Sequence, residues 1–488
     1  MPLLPWGDWK PDVSDYEGQS AHAILNVLPR GDGYGPFPDF SQFSGALPGA
    51  CRGAFYALKS DGSVVIFAAT STRLYQLDNT DYTWTDVSKG GTAYSALTGT
   101  ANWQFVQFNS LVIAVQANVA PQVFNLASSS AFADLGGSPP QAAYASIVGR
   151  FIVLSGLLSN PYRIQWSGLN ATTTWTSGVN SSDFQDFPDG GIVRGVAGGD
   201  QSAIIFQDQT IRRMSYVPGS PIVFQIDRIS QDKGLYAPYS IVRAGEVVYF
   251  YAGQGFHKIA PGGFPEQIGR EKVDRTFLTS LDKGNLQLFM GAADPRSTRV
   301  YWAYKSTSGA TGRYDRILGY DPALDRFFPI NMTGEFLLGI SQTGLTLENL
   351  DTISSSLDAL TLTLDAYATA VQPEISQFNS THNLGFFRGA NLEATLESAE
   401  QGTDGQRVFI RGFRPVTDSP TVAGSITYRE MTSATPVVGG EVNKNARTGR
   451  CDVRKSARYV RYKNRIPAGT AWTFTAGIEP DVGLEGFQ

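Results

Sequence analysis

Cysteine is nearly absent: Cys51 and Cys451 are the only two in 488 residues, and their spacing matches no CxxC pattern. Neither a disulfide framework nor a thiol-based metal or redox centre is indicated, and both thiols are read as reduced and structural. Histidine is almost as scarce. His22, His257 and His382 lie in three separate regions, which leaves a His-based metal site or a Ser-His-Asp triad without support. No run approaches the roughly 18 apolar residues that a spanning helix needs. The opening MPLLPWGDWK lacks both a basic stretch and a long apolar stretch, so neither membrane insertion nor export is expected. There is no GxxxxGK[ST] phosphate loop, and Gly-rich pieces such as AGGD and PGGF join strand to strand. Charged residues make up 17% of the chain, against roughly 25% in ordinary soluble domains. That sparseness suits a protein whose faces are covered by partners, and a net charge of −5 argues against a dedicated nucleic-acid binder.

Short strands are what the chain has in abundance. From Phe55 to Gly90 it reads as four in a row: FYALK, SVVIFAAT after Asp61-Gly62, TRLYQL, and YTWTDV. Asp-Gly between runs rich in Val, Ile, Phe and Tyr signals a tight hairpin. The pattern returns about fifty residues on as WQFVQ, LVIAVQ, QVFNLA and AFADLG, and such a repeat is the mark of β-propeller blades. Similar units follow at AYASI/RFIVLSG/YRIQWSG, at GIVRGVA/SAIIFQD/IRRMSYV/VFQIDRIS, at YSIVRA/EVVYFYA/GFHKIA, and at LQLFMGA/TRVYWAYKS/DRILGYDPA/DRFFPIN. The count is six blades, with seven as the alternative. EFLLGI is expected to close the ring against the first blade, because an open circular sheet leaves unpaired edges.

The fold expected is all-β: a propeller over 51–342 followed by a β-sandwich over 382–488, with very few short helices. EKVDRTFLTSLD places Val273, Phe277, Leu278 and Leu281 on one face of a short helix. LENLDTISSSLDALTLTLD marks a connector with a short helix over 343–381. Residues 1–50, with seven prolines, are read as too interrupted for regular structure, lying along the sandwich or a neighbouring subunit. On that reading they are removable without unfolding the blades.

No cofactor is expected. Paired carboxylates for glycoside cleavage could come from Asp186, Asp189, Asp200 and Asp208, and TDYTWTDV is faintly like a sialidase aspartate box. Such boxes recur in register from blade to blade, and here they do not. Most of these aspartates stand where turns need them, as in Asp61-Gly62 and Asp189-Gly190.

The order of parts, together with IVGRFIVLSGLLSNPYRIQWSG, IIFQDQTIRRMSYVPG and LDTISSSLDA, resembles the tail nozzle (hub, packaged-DNA stabilisation) proteins of short-tailed bacteriophages. That resemblance implies a six-subunit ring in the virion tail, made in the host cytoplasm and sitting below the portal and its adaptor. It would retain packaged double-stranded DNA, conduct it without reading its sequence, dock fibres or a needle, and have no enzymatic activity. The alternatives are a propeller that binds or cleaves glycans and a scaffold for cellular partners.

One local departure from the overall charge stands out. Lys444, Arg447, Arg450, Arg454, Lys455, Arg458, Arg461, Lys463 and Arg465 gather against Asp452 alone. In RYVRYKNR the period of two puts Val460 and Tyr462 on one face and Arg461, Lys463 and Arg465 on the other. The basic face is expected to meet a neighbouring subunit or the adaptor, with solvent and DNA phosphate as the other readings. Replacing those three by Ser is expected to leave the monomer folded.

Overall fold

The computed structural model describes residues 3–16, 18, 20–220, 222–341, 373–402 and 406–484. Its propeller has seven four-stranded antiparallel blades. The first runs Ala54–Leu58, Val64–Ala69, Leu74–Leu77 and Trp84–Asp86. Its Asp61-Gly62 turn is one residue looser than the tight pair anticipated: Gly62 alone takes a positive φ of 84°. Asp61 instead accepts from the Ser63 N–H and hydroxyl at 2.8 and 2.6 Å. Blades two to six start at Gln104, Ala142, Val193, Val242 and Met290, in the order expected.

The second strand of the first six blades is strongly apolar because both of its faces are covered, as Val64–Ala69, buried throughout, illustrates. Successive blades sandwich a separate apolar layer, such as Phe67, Phe124 and Phe132 between the first and second, or Phe256, Phe289 and Trp302 between the fifth and sixth. No blade owns its core, so the ring is stable only when complete.

The closure differs from the expectation. EFLLGI does not join the first blade; Phe336–Ser341 begins a seventh, continued by Pro373–Phe378 and Asn383–Asn391. Its outer strand is Pro38–Ala46, paired antiparallel with Asn383–Asn391. The blade count is therefore seven, residues 373–391 belong to the propeller rather than to a connector and sandwich, and LENLDTISSSLDALTLTLD lies outside the described residues.

The opening segment is structured as well. Val27–Arg30 and Gly33–Pro36 form one edge of a sandwich sheet with Thr475–Leu484, Val408–Thr417 and Lys455–Ala457. Ala23–Leu25 edges the opposite sheet, beside Ala394–Glu397, Tyr459–Ile466 and Ala423–Arg429. Pro29 is tolerated because Val27–Arg30 is an edge strand, where a missing N–H need cost no ladder bond, and Pro36 is the last residue of the inner strand Gly33–Pro36. The chain leaves the sandwich at Pro36 and enters the propeller at Pro38 with Phe37 buried between them. Phe413 and Tyr462 meet edge to face at 5.4 Å between the two sheets, and their core runs on without a break into blades six and seven.

Among the described residues the only α-helix is Asp274–Ser280, with Val273, Phe277 and Leu281 buried as the periodicity indicated. Within each blade the strands alternate in direction, so the turns between first and second and between third and fourth strands share one face. The blade-to-blade connections share the other.

Because residues 38–46 complete blade seven, deleting residues 1–46 is expected to yield aggregating or unfolded chain, contrary to the idea that the opening segment is dispensable. Soluble yield and the thermal transition test this; a truncated chain with an undiminished cooperative transition would remove the strand from its structural role.

Candidate functional site

First strands of all seven blades surround an axial cavity of about 330 Å³, whose lining includes Gln104, Phe105, Tyr239, Arg243, Met290 and Phe336. Its mouth on the face of the blade-to-blade connections is bridged by side chains from opposite sides of the ring. The Asn102 N–H donates to the Tyr239 hydroxyl at 2.7 Å, and the Asn102 Nδ2 donates to the Gln287 carbonyl at 2.9 Å. Arg52 donates through Nε to Asn102 Oδ1 at 2.9 Å and through Nη2 to the carbonyls of Gly99 and Ala101. Burial pushes the Tyr239 hydroxyl up to about 12, so it stays a neutral acceptor at any physiological pH. Asn102 is thus bonded to blades one, five and six while preceding the first strand of blade two, a brace spanning the axis.

The three histidines stay apart: His257 is packed, and His22 and His382 each meet a carboxylate. His257 is buried, hydrogen-bonds the Gly255 carbonyl through Nδ1 at 2.9 Å and stacks on Phe250; burial lowers its pKa. His382 pairs with Glu335 at 2.8 Å, and Glu335 also accepts from the Cys51 N–H at 3.0 Å. His22 contacts Asp15 at 2.9 Å. Both cysteines are buried and free, and burial raises their thiols, that of Cys451 to about 11. Among the described residues no three His, Cys, Asp or Glu side chains are grouped as for a metal. Asp186 holds Arg163 in a two-point contact at 2.6 and 2.8 Å, Asp208 holds Arg194 at 2.6 Å, and Asp189 joins Arg212 and Arg228. Carboxylates locked on arginines are poor partners for shared acid-base work.

The basic run is split up by the fold. Val460 and Tyr462 do face the core, but Arg461 on the other side is only 9% exposed, set against Asp15 at 2.8 Å and Glu400 at 3.8 Å. Arg465 is held by Glu441 and Glu393 at 2.6 and 3.0 Å, and Arg450 by Asp452 and Asp481 at 2.5 and 2.7 Å. Lys444 donates to the Ser419 carbonyl, and Lys455 lies 4.6 Å above the Tyr428 ring. Arg458 and Lys463 are half-buried, whereas Arg447 and Arg454 are exposed. Arg450, Arg461 and Arg465 are thus neutralised from within, largely by acids distant in sequence, while Arg447, Arg454 and Lys455 remain exposed. Replacing Arg461, Lys463 and Arg465 together would remove the ion-pair partner of Glu393 and of Glu441 and one of the partners of Asp15 and of Glu400, which keep His22 and Arg429, so an intact monomer is no longer the expectation.

What covers Arg461 is the N-terminal arm, which straps sandwich to propeller through three aspartates. Asp8 pairs with Arg326 of blade six at 2.6 Å. Asp12 caps the Asp274–Ser280 helix from 262 positions away, accepting from the N–H groups of Arg275 and Thr276 at 2.7 and 2.8 Å. Burial alone would raise the Asp15 carboxyl, but the His22 hydrogen bond and the Arg461 charge outweigh it and hold it below the ordinary value. Sequence reasoning missed this strap; its one signal was the spacing of Asp8, Asp12 and Asp15 within a Pro-rich stretch.

No family model matches the chain, and no curated protein matches it. Among solved structures, the extracellular domain of a hybrid two-component system from B. thetaiotaomicron is similar at 10% identity and a TM-score of 0.39, over 84% of this chain and 46% of that one. This chain therefore matches about half of that protein's length. The Neurospora crassa Pan2 WD40 domain is similar at 8% identity and a TM-score of 0.38, over 71% and 94%. A computationally designed protein, Ika8, gives 10% and 0.38, over 72% and 99%. Likeness at this level carries no argument about function.

Two outcomes follow from the brace and the strap. Tyr239→Phe leaves the Asn102 N–H without its acceptor and is expected to cost about 1–3 kcal/mol in denaturant unfolding; a variant as stable as the parent would show that the brace holds nothing. Asp274 is 8% exposed, and burial raises its carboxyl from the ordinary 3.8 to about 6, with the Asp12 charge adding to the effect against hydrogen bonds from Phe256 N–H and Gln267. A carboxyl raised in the folded state contributes stability that is full below pH 4 and lost as pH rises through 6, a swing of about 3 kcal/mol. The stability difference between the parent and Asp274→Asn, followed from pH 4 to 7.5, should therefore move in the variant's favour; a pH-independent difference would contradict the assignment.

Proposed function

We propose that this chain is a structural subunit of a short phage tail. In this reading six copies form a ring below the portal-adaptor complex in the virion, retain the packaged double-stranded DNA, conduct it during ejection, and offer docking surfaces to a fibre or needle. The observation that carries the reading is mechanical. Propeller and sandwich share a continuous core through blades six and seven, are crossed by one strand pair at residues 33–46, and are strapped by Asp8, Asp12 and Asp15. A wall that must withstand pressurised DNA needs subunits that do not hinge. The stretches IVGRFIVLSGLLSNPYRIQWSG and IIFQDQTIRRMSYVPG, which carry the family resemblance, hold the middle strands of blades three and four. DNA would pass through the hole of the ring, since Asn102, Tyr239 and Gln287 bridge the propeller axis.

The glycan-cleaving alternative loses support because Asp186, Asp189 and Asp208 each hold an arginine. No enzymatic activity is part of the proposal.

Purified chain examined by native mass spectrometry and negative-stain imaging should form six-membered rings with rising concentration. A chain that stays monomeric at tens of micromolar, or that hydrolyses model glycosides, would end this reading.

A further inference from the structure

The N-terminal arm and the short helix of the propeller bring two carboxylates to one helix end. Asp12 comes from the arm, and its carboxylate accepts from the Arg275 N–H at 2.7 Å, the Thr276 N–H at 2.8 Å and the Thr276 hydroxyl at 2.7 Å. Asp274 is the residue just before, the first of the helix, and its side chain is turned inward at 8% exposure. Its Oδ1 accepts from the Phe256 N–H at 3.0 Å and its Oδ2 from the Gln267 amide at 2.8 Å. Among the described residues that carboxyl makes no ion pair. Lys272, in the turn before the helix, commits its ammonium to the Asp325 carboxylate at 2.6 Å. Arg275 is exposed and reaches the Asp12 carbonyl at 3.0 Å and Glu271 at 3.7 Å. Another ionisable group facing Asp274, the Tyr251 hydroxyl of blade five, is pushed up by burial and by the Asp274 charge, so it brings no counter-charge either.

What Asp12 holds is the middle of the arm. Leu4–Pro5 pairs with the sandwich strand Thr475–Leu484, and Asp15 with Arg461 of the opposite sheet. Between these two anchorages the arm meets the propeller through Asp8 on Arg326, through Trp9, which packs against the cores of sandwich and blades alike, and through Asp12. At Asp12 the main chain contributes as well, its N–H donating to the Lys272 carbonyl at 3.1 Å. Burial is the main reason that the Asp274 carboxyl stands above the ordinary range, and the Asp12 charge adds to it. A carboxylate that makes its neighbour harder to ionise is itself held less well once that neighbour has ionised, because coupling between two sites is reciprocal.

We infer that this junction is a pH-sensitive latch: residues 8–16 of the arm are seated on the propeller while Asp274 is protonated, and they loosen when it ionises. A carboxyl raised to about 6 keeps its proton through the range in which free carboxyls lose theirs, so the latch is closed at pH 5 and weakens as pH rises through about 6. It operates within a single chain and needs no ring.

Amide exchange of the peptides covering residues 3–16 reads the latch, with rates taken relative to intrinsic exchange at each pH and the buried strand Val64–Ala69 as the internal reference. His22 meets Asp15, and histidine changes charge in the same range, so every chain compared carries His22→Gln. With no other change the arm should exchange about 3- to 10-fold faster at pH 7.5 than at pH 5, the size of a solvent-screened coupling between two carboxylates. Asp12→Asn keeps an acceptor for the helix N–H groups but not the charge, and should abolish the pH response. Asp274→Asn should abolish it as well. Asp8→Asn weakens the hold on Arg326 and should speed exchange at both pH values while leaving their ratio unchanged. An arm equally protected at pH 5 and 7.5, or a pH response that survives Asp12→Asn or a folded Asp274→Asn, would overturn the latch. Should Asp274→Asn fail to fold, Asp12→Asn alone decides.

Discussion

An unpaired strand edge cannot be left inside a closed circle of blades, and much of this architecture answers that constraint. The seventh blade supplies three strands from residues 336–391 and must take its fourth from the other end of the chain. Pro38–Ala46 does so, and the join is fastened beyond its ladder: Leu384 N–H donates to the Ser44 hydroxyl, the Asn383 side chain to the Ser44 carbonyl, and Leu47 N–H to the His382 carbonyl. Each apolar layer lies between two blades, so a ring lacking this strand exposes the layers on either side. Closing a loop of more than three hundred residues is an entropic cost that grows only slowly with length, but it must be met before the contacts repay it. Residue 46 pairs with residue 383, so this closure is the longest-range step that completing the ring requires.

Fastening the ring with an N-terminal strand also decides where the sandwich sits. The chain enters strand Pro38–Ala46 directly from sandwich strand Gly33–Pro36. The sandwich must therefore lie against the blades flanking the closure, where Asn26 N–H donates to the Pro329 carbonyl and the Arg326 side chain to the Arg30 carbonyl. The shared core of blades six, seven and the sandwich follows from that connection. The aspartate strap adds direction to what would otherwise be non-specific apolar contact.

Legibility in the sequence followed the range of the interaction. Strands within a blade are joined by short turns and packed by period-two patterns, so the first six blades, the short helix and the all-β class could be read directly. The seventh blade could not, because the pairing of Phe40 and Phe387 leaves no local trace and the prolines around it look like breakers. Proline reads differently on an edge strand, and nothing nearby tells an edge from a centre. The basic run was legible only in part: alternation placed Val460 and Tyr462 correctly, whereas the partners of Arg461 come from residues 15 and 400. Asn102 and Tyr239 sit in connections without periodicity, where a brace leaves no pattern to find.

Seven blades leave a wider axis than the side chains of their first strands can fill, and the way it is filled shapes what the molecule can do. Here the mouth is crossed by an asparagine bonded to three other blades, with its amide, its N–H and its side-chain oxygen all engaged. A ligand entering from that side would have to break several buried hydrogen bonds, each costly to leave unmade. The opposite face carries the hairpins, and there the chain has removed charge from three successive turns while exposing Val179, Ile222 and Phe264. Exposed apolar side chains raise the risk of non-specific association, and a rigid ring holds Val179, Ile222 and Phe264 on one face, away from the braced mouth of the axis.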